Sequence, residues 1–586
     1  MGVRRCFVLE EVKDAKKIRA FLSSLSDCSE INRQELFDEK RESYNKKYLT
    51  FISRINKNNH SFYWWALNFP NKYPLFSDLY NKIISFLIIA DLIRRESADC
   101  LLIVTGERDV VEQVRLSKVA AEVDLIDEIK ENFNIVPLIN EYLPLYVALA
   151  FLRTILLKLY EHLYLNVSLN TRKRYLVIKS LINRQTQNKD NHYRDAYFGE
   201  VHKYLSQKDV PYIFFVTIWA PYITNLKKIK TKDPNLKIIP LEFYVSVYKI
   251  MLCFMQSLKR HFLLFSINGK QEIAGLDVSY LLKKEVITDC RTHRFYTNLL
   301  EYYCVKALLS RIQIERFIYP FENRSWEQMA IYALREAQKN IKIIGYQHSS
   351  ITSRHLNLIL EDEERAVIPL PDQVITIGEI TKGFLETTGN FPKAMLRIGC
   401  ALRQAIISNS ELRKRSDKIN NILVVVTSSL DEYVKTLRFL NKSFCNHNLF
   451  EIRISPHPIF SIEKAIKLAS PLNFNFKVEK DVSIKESLKW ADVLLYTSST
   501  VSLEALSLGI PVIYLELGEL LKPDPLFGYD GLKWAVSDPD NLLATIDFID
   551  NLPNGEFRIL QDKAKEYTRR YFYPVTEENL EQFIIN

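Results

Sequence analysis

The chain has 586 residues, which is too many for one hydrophobic core, so we expect at least two domains. An apolar content of 47% beside 25% charged residues excludes an extended disordered protein. The net charge of +9 is a mild excess that fits an anionic substrate or a membrane surface but more commonly reflects solvated lysines, and no nucleic-acid partner is expected.

The first part of the chain predicts short strands separated by helices and basic loops. This alternation favours an α/β fold with a parallel, doubly wound sheet. We expect residues 1–400 to form one Rossmann-like domain with a helical insertion at about residues 107–174. The predicted strands cover residues 101–104, 175–178, 212–217, 237–240, 316–319, 341–346, 373–377 and 396–398.

The apolar stretch 142–165 within the insertion is the nearest candidate for a membrane segment. It contains Arg153, Lys158, Glu161 and His162, which make a full span expensive. A basic run, 172–174, follows it. Two interpretations stay open: a helix lying in the membrane interface, as a peripheral contact, or a buried helix of the first domain.

Two carboxylates in the first domain are weaker candidates for an active-site acid. Asp195 lies in a polar loop before a predicted helix, where it could equally be a helix cap. Asp277 stands in the run Gly-Leu-Asp-Val.

A stronger candidate follows the predicted strand at 316–319. Glu322 would stand at the carboxyl end of that strand, with Asn323 and Arg324 beside it. A helix is expected to begin at Ser325 or Trp326, and Ser325 with Gln328 resembles a capping box.

The next predicted strand ends on two further polar residues, Gln347 and His348. Neighbouring parallel strands end at the same edge of a sheet. Glu322 and His348 are therefore predicted to form an acid/base pair that faces an interdomain cleft.

A polar stretch near residues 399–421 predicts the domain boundary. Arg403, at this hinge, could reach a phosphate or simply be solvated. Beyond it, strands at 422–426, 450–455, 474–479, 493–496, 512–515 and 534–536 alternate with helices at 431–446, 461–468, 484–490 and 501–508. Residues 401–565 are thus expected to form a second Rossmann-like domain, and residues 566–586 a C-terminal helix that packs back on the first.

The turn between the strand at 493–496 and the following helix is the most informative feature. It reads Thr-Ser-Ser-Thr, and Ser498, Ser499 and Thr500 are expected to cap the helix. Free N–H groups and the positive dipole end of a helix suit a phosphate. Glu504, one turn further, could accept from a ribose hydroxyl or merely favour the helix dipole.

His457 and Pro458 end the strand before it. A second proline at position 456 restricts the backbone and holds the imidazole in one direction. A lone loop histidine is more often structural, but the Ser498 turn on a nearby strand end favours a phosphate contact.

Several common sites are absent from the sequence. There is no P-loop, G-x-G-x-x-G, H-E-x-x-H or strand-end D-x-D, so kinase-type chemistry, redox cofactors and a metal ion are not expected. Eight cysteines without a C-x-x-C pair argue against disulfides or structural zinc and favour the cytoplasm.

Two Rossmann-like halves with a nucleotide site in the second resemble a GT-B glycosyltransferase. The pair His457-Pro458 and the run 498–500 resemble the HP and SS(T) motifs of bacterial sialyltransferases, polysialyltransferases and capsule Kdo transferases. The stretches 194–199, 319–327 and 345–349 resemble surface-carbohydrate biosynthesis proteins of O-antigen and capsule loci. The acidic-acidic-Gly motif of the sialyltransferases is missing from the first domain.

The resemblance implies metal-free transfer of an acidic ulosonic sugar from a CMP donor to a glycan or lipid-linked glycan, at the inner face of the cytoplasmic membrane. His457 and the Ser498 turn would hold the CMP phosphate, and Glu322, then Asp195 or Asp277, would be the catalytic carboxylate. The rival hypotheses are a GT-B transferase that uses a UDP- or GDP-sugar or CDP-glycerol, and an inactive GT-B scaffold in a membrane assembly complex.

Overall fold

The computed structural model describes most of the chain. The described residues are 5–8, 29–30, 33–95, 101–104, 107–117, 145–165, 167–189, 192–230, 233, 236–258, 267, 269–337, 340–403, 411–426, 429–445, 447, 449–457, 462–479 and 482–585.

The chain divides into two compact units. The first comprises Met1–Gln347, Leu356–Val374 and Leu385–Leu396, and the second His348–His355, Ile375–Phe384 and Arg397–Asn586. Two short segments that precede residue 400 therefore belong to the second unit. Hydrogen bonds hold them to its C-terminal residues: the Ile351 N–H donates to the Tyr571 hydroxyl at 3.2 Å, and the Tyr573 N–H to the Ile377 carbonyl at 2.9 Å.

The strands before residue 400 form two parallel sheets and two antiparallel hairpins. They are β1 (Arg5–Val8), β2 (Ser29–Glu30), β3 (Leu101–Val104), β4 (Arg174–Ile182), β5 (Gln187–Lys189), β6 (His192–Arg194), β7 (Tyr212–Ile218), β8 (Ile238–Pro240), β9 (Glu272–Ile273), β10 (Leu276–Asp277), β11 (Gln313–Pro320), β12 (Lys342–Gln347), β13 (Gln373–Thr376) and β14 (Leu396–Ile398). The small sheet has the order β2-β1-β3 and the large one β14-β13-β12-β11-β4-β7-β8, while β5-β6 and β9-β10 are the hairpins.

Helices surround these strands. They are α1 (Arg33–Asn58), α2 (Phe62–Trp65), α3 (Leu79–Arg95), α4 (Arg108–Leu116), α5 (Leu145–Tyr164), α6 (Val201–Gln207), α7 (Tyr222–Lys227), α8 (Val247–Leu258), α9 (Ser279–Cys290), α10 (His293–Leu309), α11 (Ser325–Ala337), α12 (Asp362–Arg365) and α13 (Glu379–Thr387). Of the expected insertion at 107–174, residues 118–144 lie outside the described part.

The rest of the second unit alternates strand and helix. Its strands are β15 (Asn421–Val425), β16 (Glu451–Ser455), β17 (Lys477–Val478), β18 (Val493–Tyr496), β19 (Val512–Leu515) and β20 (Lys533–Val536). Its helices are α14 (Leu430–Phe444), α15 (Ile462–Ala469), α16 (Ile484–Trp490), α17 (Val501–Ser507), α18 (Leu542–Asp550), α19 (Asn554–Tyr571) and α20 (Glu577–Glu581). Residues 566–586 are thus the end of one helix and a second short helix, rather than a single helix.

Both large sheets are doubly wound, as predicted. In the second unit the parallel strands have the order β17-β16-β15-β18-β19-β20, so the winding direction reverses between β15 and β18. In the first unit it reverses between β4 and β11. Ligands of such sheets bind beyond the carboxyl ends of the strands at this reversal. The strand order therefore marks one candidate site in each unit.

The strand β4 is longer than its predicted extent of 175–178, because buried polar residues continue it. Lys179 is 1% exposed, and its ammonium lies 3.2 Å from the Glu301 carboxylate. The next residue, Ser180, donates a hydrogen bond to Asp195 at 2.8 Å. Partners of this kind make burial of a charged residue tolerable, and a pattern of apolar residues does not reveal them.

No helix in the described part of the chain is both long enough and apolar enough to cross a membrane.

Candidate functional site

The Thr497–Thr500 turn joins β18 to α17 at the switch point of the second sheet. The Ser499 hydroxyl accepts a hydrogen bond from the Val501 N–H at 3.2 Å. Thr500 occupies the N-cap position, but its side chain makes no capping hydrogen bond. The expected side-chain cap therefore does not form at Thr500, and the Ser499 hydroxyl, one residue earlier, bonds the N–H of the first helical residue instead.

The other hydroxyls of the turn differ in their exposure. Thr497 is 2% exposed, and its Oγ1 has no hydrogen-bond partner among the described residues. Ser498 and Thr500 are half-buried. A buried hydroxyl without a partner costs free energy, which a bound ligand would recover. The turn is thus a group of donors at the place where the fold predicts a ligand.

His457 lies at the same edge of the sheet. Val425 on the central strand β15 pairs with Ser455 on one side and with Tyr496 on the other. His457 and Ser498 each follow two residues later, on strands about 10 Å apart, since neighbouring strands are about 4.8 Å apart.

The environment of His457 favours the neutral form of its imidazole. Burial lowers its pKa, and the backbone N–H donates to the Tyr433 hydroxyl, which fixes the loop. Pro458, the other half of the motif, lies outside the described residues. A neutral imidazole still has one N–H to donate.

Glu504 lies on α17, one turn beyond the Ser498 turn. Burial raises the pKa of its carboxyl group to about 7. The residue is half-buried, and burial is the cause of the shift. Near neutral pH it can therefore accept from a ligand hydroxyl when ionised or donate when protonated.

Sequence reasoning missed further polar groups at this edge. Glu432, in the first turn of α14 behind β15, has a buried Oε1 without a hydrogen-bond partner among the described residues. The Tyr514 hydroxyl on β19 is also buried without a partner among them. Glu519 lies 3.9 Å from Arg354, and burial raises its pKa. The signal available for Glu432 was its place in the helix that follows the central strand.

His348 and Arg403 meet in the second unit. An Arg403 guanidinium nitrogen lies 3.4 Å from His348 Nδ1, and His348 is 3% exposed. Glu322 belongs to the first unit. The pairing of Glu322 with His348 as acid and base stays a prediction.

In the first unit, Glu322 stands beyond the end of β11, at the switch point beside β4. Its carboxylate forms an ion pair with Arg324, whose guanidinium lies 4.8 Å from the ring centre of Phe76. Asn323 has a left-handed backbone, with φ of 52°, and its amide donates to the Asn357 carbonyl at 2.7 Å. The loop is thus held by its own side chains.

The organising carboxylate of this loop is Glu327, which sequence reasoning passed over. It is 1% exposed and accepts the N–H groups of Glu322, at 3.1 Å, and Asn323, at 2.9 Å. Burial, followed by the charge of Glu322, raises its pKa. The available signal was an acidic residue in the first turn of a helix that follows a strand end.

The expected capping box of Ser325 and Gln328 does not form. The Ser325 hydroxyl donates to the Leu67 carbonyl and accepts from Asn71 at 2.9 Å. Both amide atoms of Gln328 are buried without a hydrogen-bond partner in the described part of the chain. Contacts to residues distant in sequence replace the local motif.

Asp195 lies beside the end of β4 with its carboxylate fully engaged. It accepts hydrogen bonds from Ser180 at 2.8 Å, from the Tyr193 hydroxyl at 3.1 Å, and from the N–H groups of Tyr197 at 2.8 Å and Phe198 at 2.9 Å. Burial raises its pKa. These contacts favour its alternative role, that of ordering a turn.

The two remaining candidates of the first unit lie apart in the fold. Asp277 is on the β9-β10 hairpin, outside the seven-stranded sheet, and its carboxylate accepts from the Ser279 N–H at 2.8 Å. Gln347 ends β12 and is 1% exposed.

On the same strand, a Cβ at Gly345 would lie 2.9 Å from the Phe321 side chain, so only glycine fits there.

Comparison with known proteins finds similar structures but no close relative. No family model matches the sequence, and no curated protein matches it. The calicheamicin glycosyltransferase CalG4 is 10% identical, with a TM-score of 0.39 over 70% of this chain and 98% of its own. MurG of Acinetobacter baumannii is 11% identical, with a TM-score of 0.38 over 70% and 99%.

A third similar structure is the wall teichoic acid polymerase TagF. It is 12% identical, with a TM-score of 0.34 over 76% of this chain and 96% of its own. At such identities, and with TM-scores below 0.5, none of these likenesses assigns an activity to this chain. The assignment of this chain to the doubly wound α/β class therefore rests on the strand order of its own two sheets.

Proposed function

We propose that this chain is a GT-B glycosyltransferase that moves an acidic ulosonic sugar, Kdo or a nonulosonic acid, from its CMP donor to a surface glycan without a metal ion. The observation that carries the proposal is the carboxyl edge of the second sheet. There His457 and the Ser498 turn follow the two strands that flank β15, at the switch point.

The chemistry of this edge suits a single phosphate diester. The hydroxyls of Ser498 and Thr500 and the neutral imidazole of His457 are donors, and none of them adds a full charge that would bind the product too tightly. Donors fixed in place stabilise the charge that develops on a departing phosphate. Glu504 would receive a ribose hydroxyl of the same nucleotide.

In the transfer, the bond between the anomeric carbon and the CMP phosphate oxygen breaks, and CMP leaves with the electron pair. The acceptor hydroxyl oxygen bonds to that carbon and gives its proton to a carboxylate. Glu322 is our first choice for this base, because Asp195 is saturated by hydrogen bonds and Asp277 lies on a separate hairpin. If the configuration is retained, the carboxylate would instead be the nucleophile.

The acceptor would be a glycan or lipid-linked glycan at the inner face of the cytoplasmic membrane. The basic and apolar stretch 142–174 supports this location.

The proposal is tested by measuring CMP release and sugar transfer with CMP-Kdo and a CMP-nonulosonate. UDP- and GDP-sugars and CDP-glycerol serve as the competing donors. Turnover of a CMP-sugar, lost in a His457→Ala and Ser498→Ala double variant, would support the proposal. Turnover of another donor would select a rival transferase, and no turnover with any donor would favour an inactive scaffold.

A further inference from the structure

One face of α5 is a stripe of exposed leucines. They recur at alternating spacings of four and three residues, while Val147, Ala150 and Thr154 face inward and are at most 8% exposed. Their exposed fractions run from 43% at Leu145 to 87% at Leu163. The stripe consists of Leu145, Leu149, Leu152, Leu156, Leu159 and Leu163.

The neighbouring helix α8 widens this stripe. Tyr248, Met251 and Met255 are 69%, 53% and 51% exposed. The rings of Phe151 and Phe254 stack at 4.6 Å between the two helices, and both helices pack on α10. The two helices thus lie side by side on one inner support, and their outer sides are together called the leucine face.

Within α5 and α8, the exposed residues that carry a full charge are basic. The sequences of α5 and α8 contain a single carboxylate, Glu161, which is 1% exposed. Burial, followed by the charge of Glu242, raises its pKa to about 9, so it is uncharged at neutral pH. The outward charges are Arg153 and Lys249, and an exposed basic run at 172–174 follows α5.

We propose that the leucine face lies in the plane of a membrane that contains anionic lipids. An apolar patch of this extent marks an interaction site. Leucines with a cationic border and interfacial tyrosines are what a helix at the boundary of headgroups and acyl chains presents. The inference concerns a surface separate from the nucleotide edge and does not depend on the identity of the donor.

A second copy of the chain is the competing occupant, because a four-and-three repeat of leucines is also the seam of a coiled coil. The positions that flank such a seam normally hold paired glutamates and lysines. Here Tyr146, Arg153 and Tyr160 flank the leucines on one side and no exposed acidic residue is available to pair with Arg153 on an identical helix. The charges thus favour anionic lipid.

The test is co-sedimentation of the full chain with phosphatidylcholine vesicles, with and without phosphatidylglycerol, at low and high salt. We expect binding to the anionic vesicles that weakens with salt. The variant Leu156→Glu with Leu163→Glu should lower the partition coefficient about a hundredfold or more, since each leucine contributes at least about a factor of ten when buried. Both residues are more than 60% exposed, so folding should be retained.

The matched control is Leu75→Glu with Leu449→Glu, at sites that are 64% and 72% exposed outside the leucine face. It should bind vesicles like the wild type. Absence of vesicle binding, or an equal loss in both variants, would overturn the inference. So would a wild-type dimer that becomes monomeric in the α5 variant without any vesicle binding, since that result would assign the face to a second copy.

Discussion

At the carboxyl edge of the first unit's sheet, charged side chains are linked to one another, whereas the turn Thr497–Thr500 at the edge of the second unit's sheet carries hydroxyls and no charged side chain. Glu322 forms an ion pair with Arg324, and Glu327 accepts the N–H of Glu322, while Arg324 Nε is buried without a hydrogen-bond partner among the described residues. In the second unit, Thr497 Oγ1 and the Tyr514 hydroxyl are buried without a partner among the described residues. A loop fixed by an ion pair can position a catalytic group, while a turn of uncharged donors is suited to bind a phosphate.

The largest effect should come from removing the charge of Glu322. If Glu322 is the catalytic carboxylate, Glu322→Gln should reduce the transfer rate about 10²- to 10⁴-fold, the range typical of a general base. Steady-state transfer from a CMP-sugar measures this. The control is Glu315→Gln on the same strand, whose side chain is 53% exposed. Unchanged transfer in Glu322→Gln would show that another group is the carboxylate.

The second-largest effect should be a loss of stability when the Glu327 carboxylate, which accepts two backbone N–H groups of the loop after β11, is removed. Glu327→Ala leaves a buried N–H at Asn323 and a half-buried one at Glu322 without their acceptor, so we expect it to lower the free energy of unfolding by about 2–3 kcal/mol. Urea unfolding followed by circular dichroism measures the change. Glu363→Ala, at a surface position, should change it little. An equal, small effect of both substitutions would mean that the loop does not depend on Glu327.

Substitution of the adjacent serines Ser498 and Ser499 in the second unit should distinguish an effect on nucleotide binding from an effect on stability. Ser498→Ala should weaken CMP binding about tenfold, since it removes a hydrogen bond to a charged phosphate, and leave stability nearly unchanged. Ser499→Ala removes the hydrogen bond from the Val501 N–H and should lower stability by about 1 kcal/mol. Titration calorimetry and thermal unfolding of both variants distinguish the roles. The reverse pattern would contradict the account of this turn.

The smallest effect concerns the titration of Glu504. Burial raises its pKa from 4.5 to about 7. The folded state therefore holds this proton more tightly than the unfolded chain, and the stability so provided is full below pH 4.5 and is lost as the pH rises through 7. Glu504→Gln should thus lose less stability than the wild type between about pH 5 and pH 8. The control Glu566→Gln, at an exposed position, should show the same pH dependence of the free energy of unfolding as the wild type. The same pH dependence in all three proteins would show that Glu504 does not titrate with a raised pKa.

The second unit was the easier to predict because its local signals agree with its fold. The strands at Val493–Tyr496 and Val512–Leu515 have the predicted bounds, since each is a short apolar run bordered by turn residues. Their residues are at most 2% exposed, which such continuous runs require. The turn at Ser498 followed directly from one of these strands.

The first unit depends on contacts between distant residues, which no local pattern shows. Gln328 was predicted to cap its own helix, but Ser325 binds Leu67 and Asn71, more than 250 residues away. Glu327 likewise gains its role from burial by the surrounding fold. The sequence therefore predicted which residues follow the strand ends, but not the hydrogen bonds that give Glu327, rather than a neighbouring carboxylate, its role in the loop.

The most direct test of the central claim is thermal unfolding of the protein with CMP, CDP, UDP and GDP in turn. A nucleotide at about one hundred times its Kd should add about 2.7 kcal/mol to the stability of the folded state. The account predicts an upward shift with CMP that is larger than with the other nucleotides and is reduced in Ser498→Ala. A larger shift with UDP, GDP or CDP, or none with CMP at saturating concentration, would contradict the assignment of the second edge to a CMP donor.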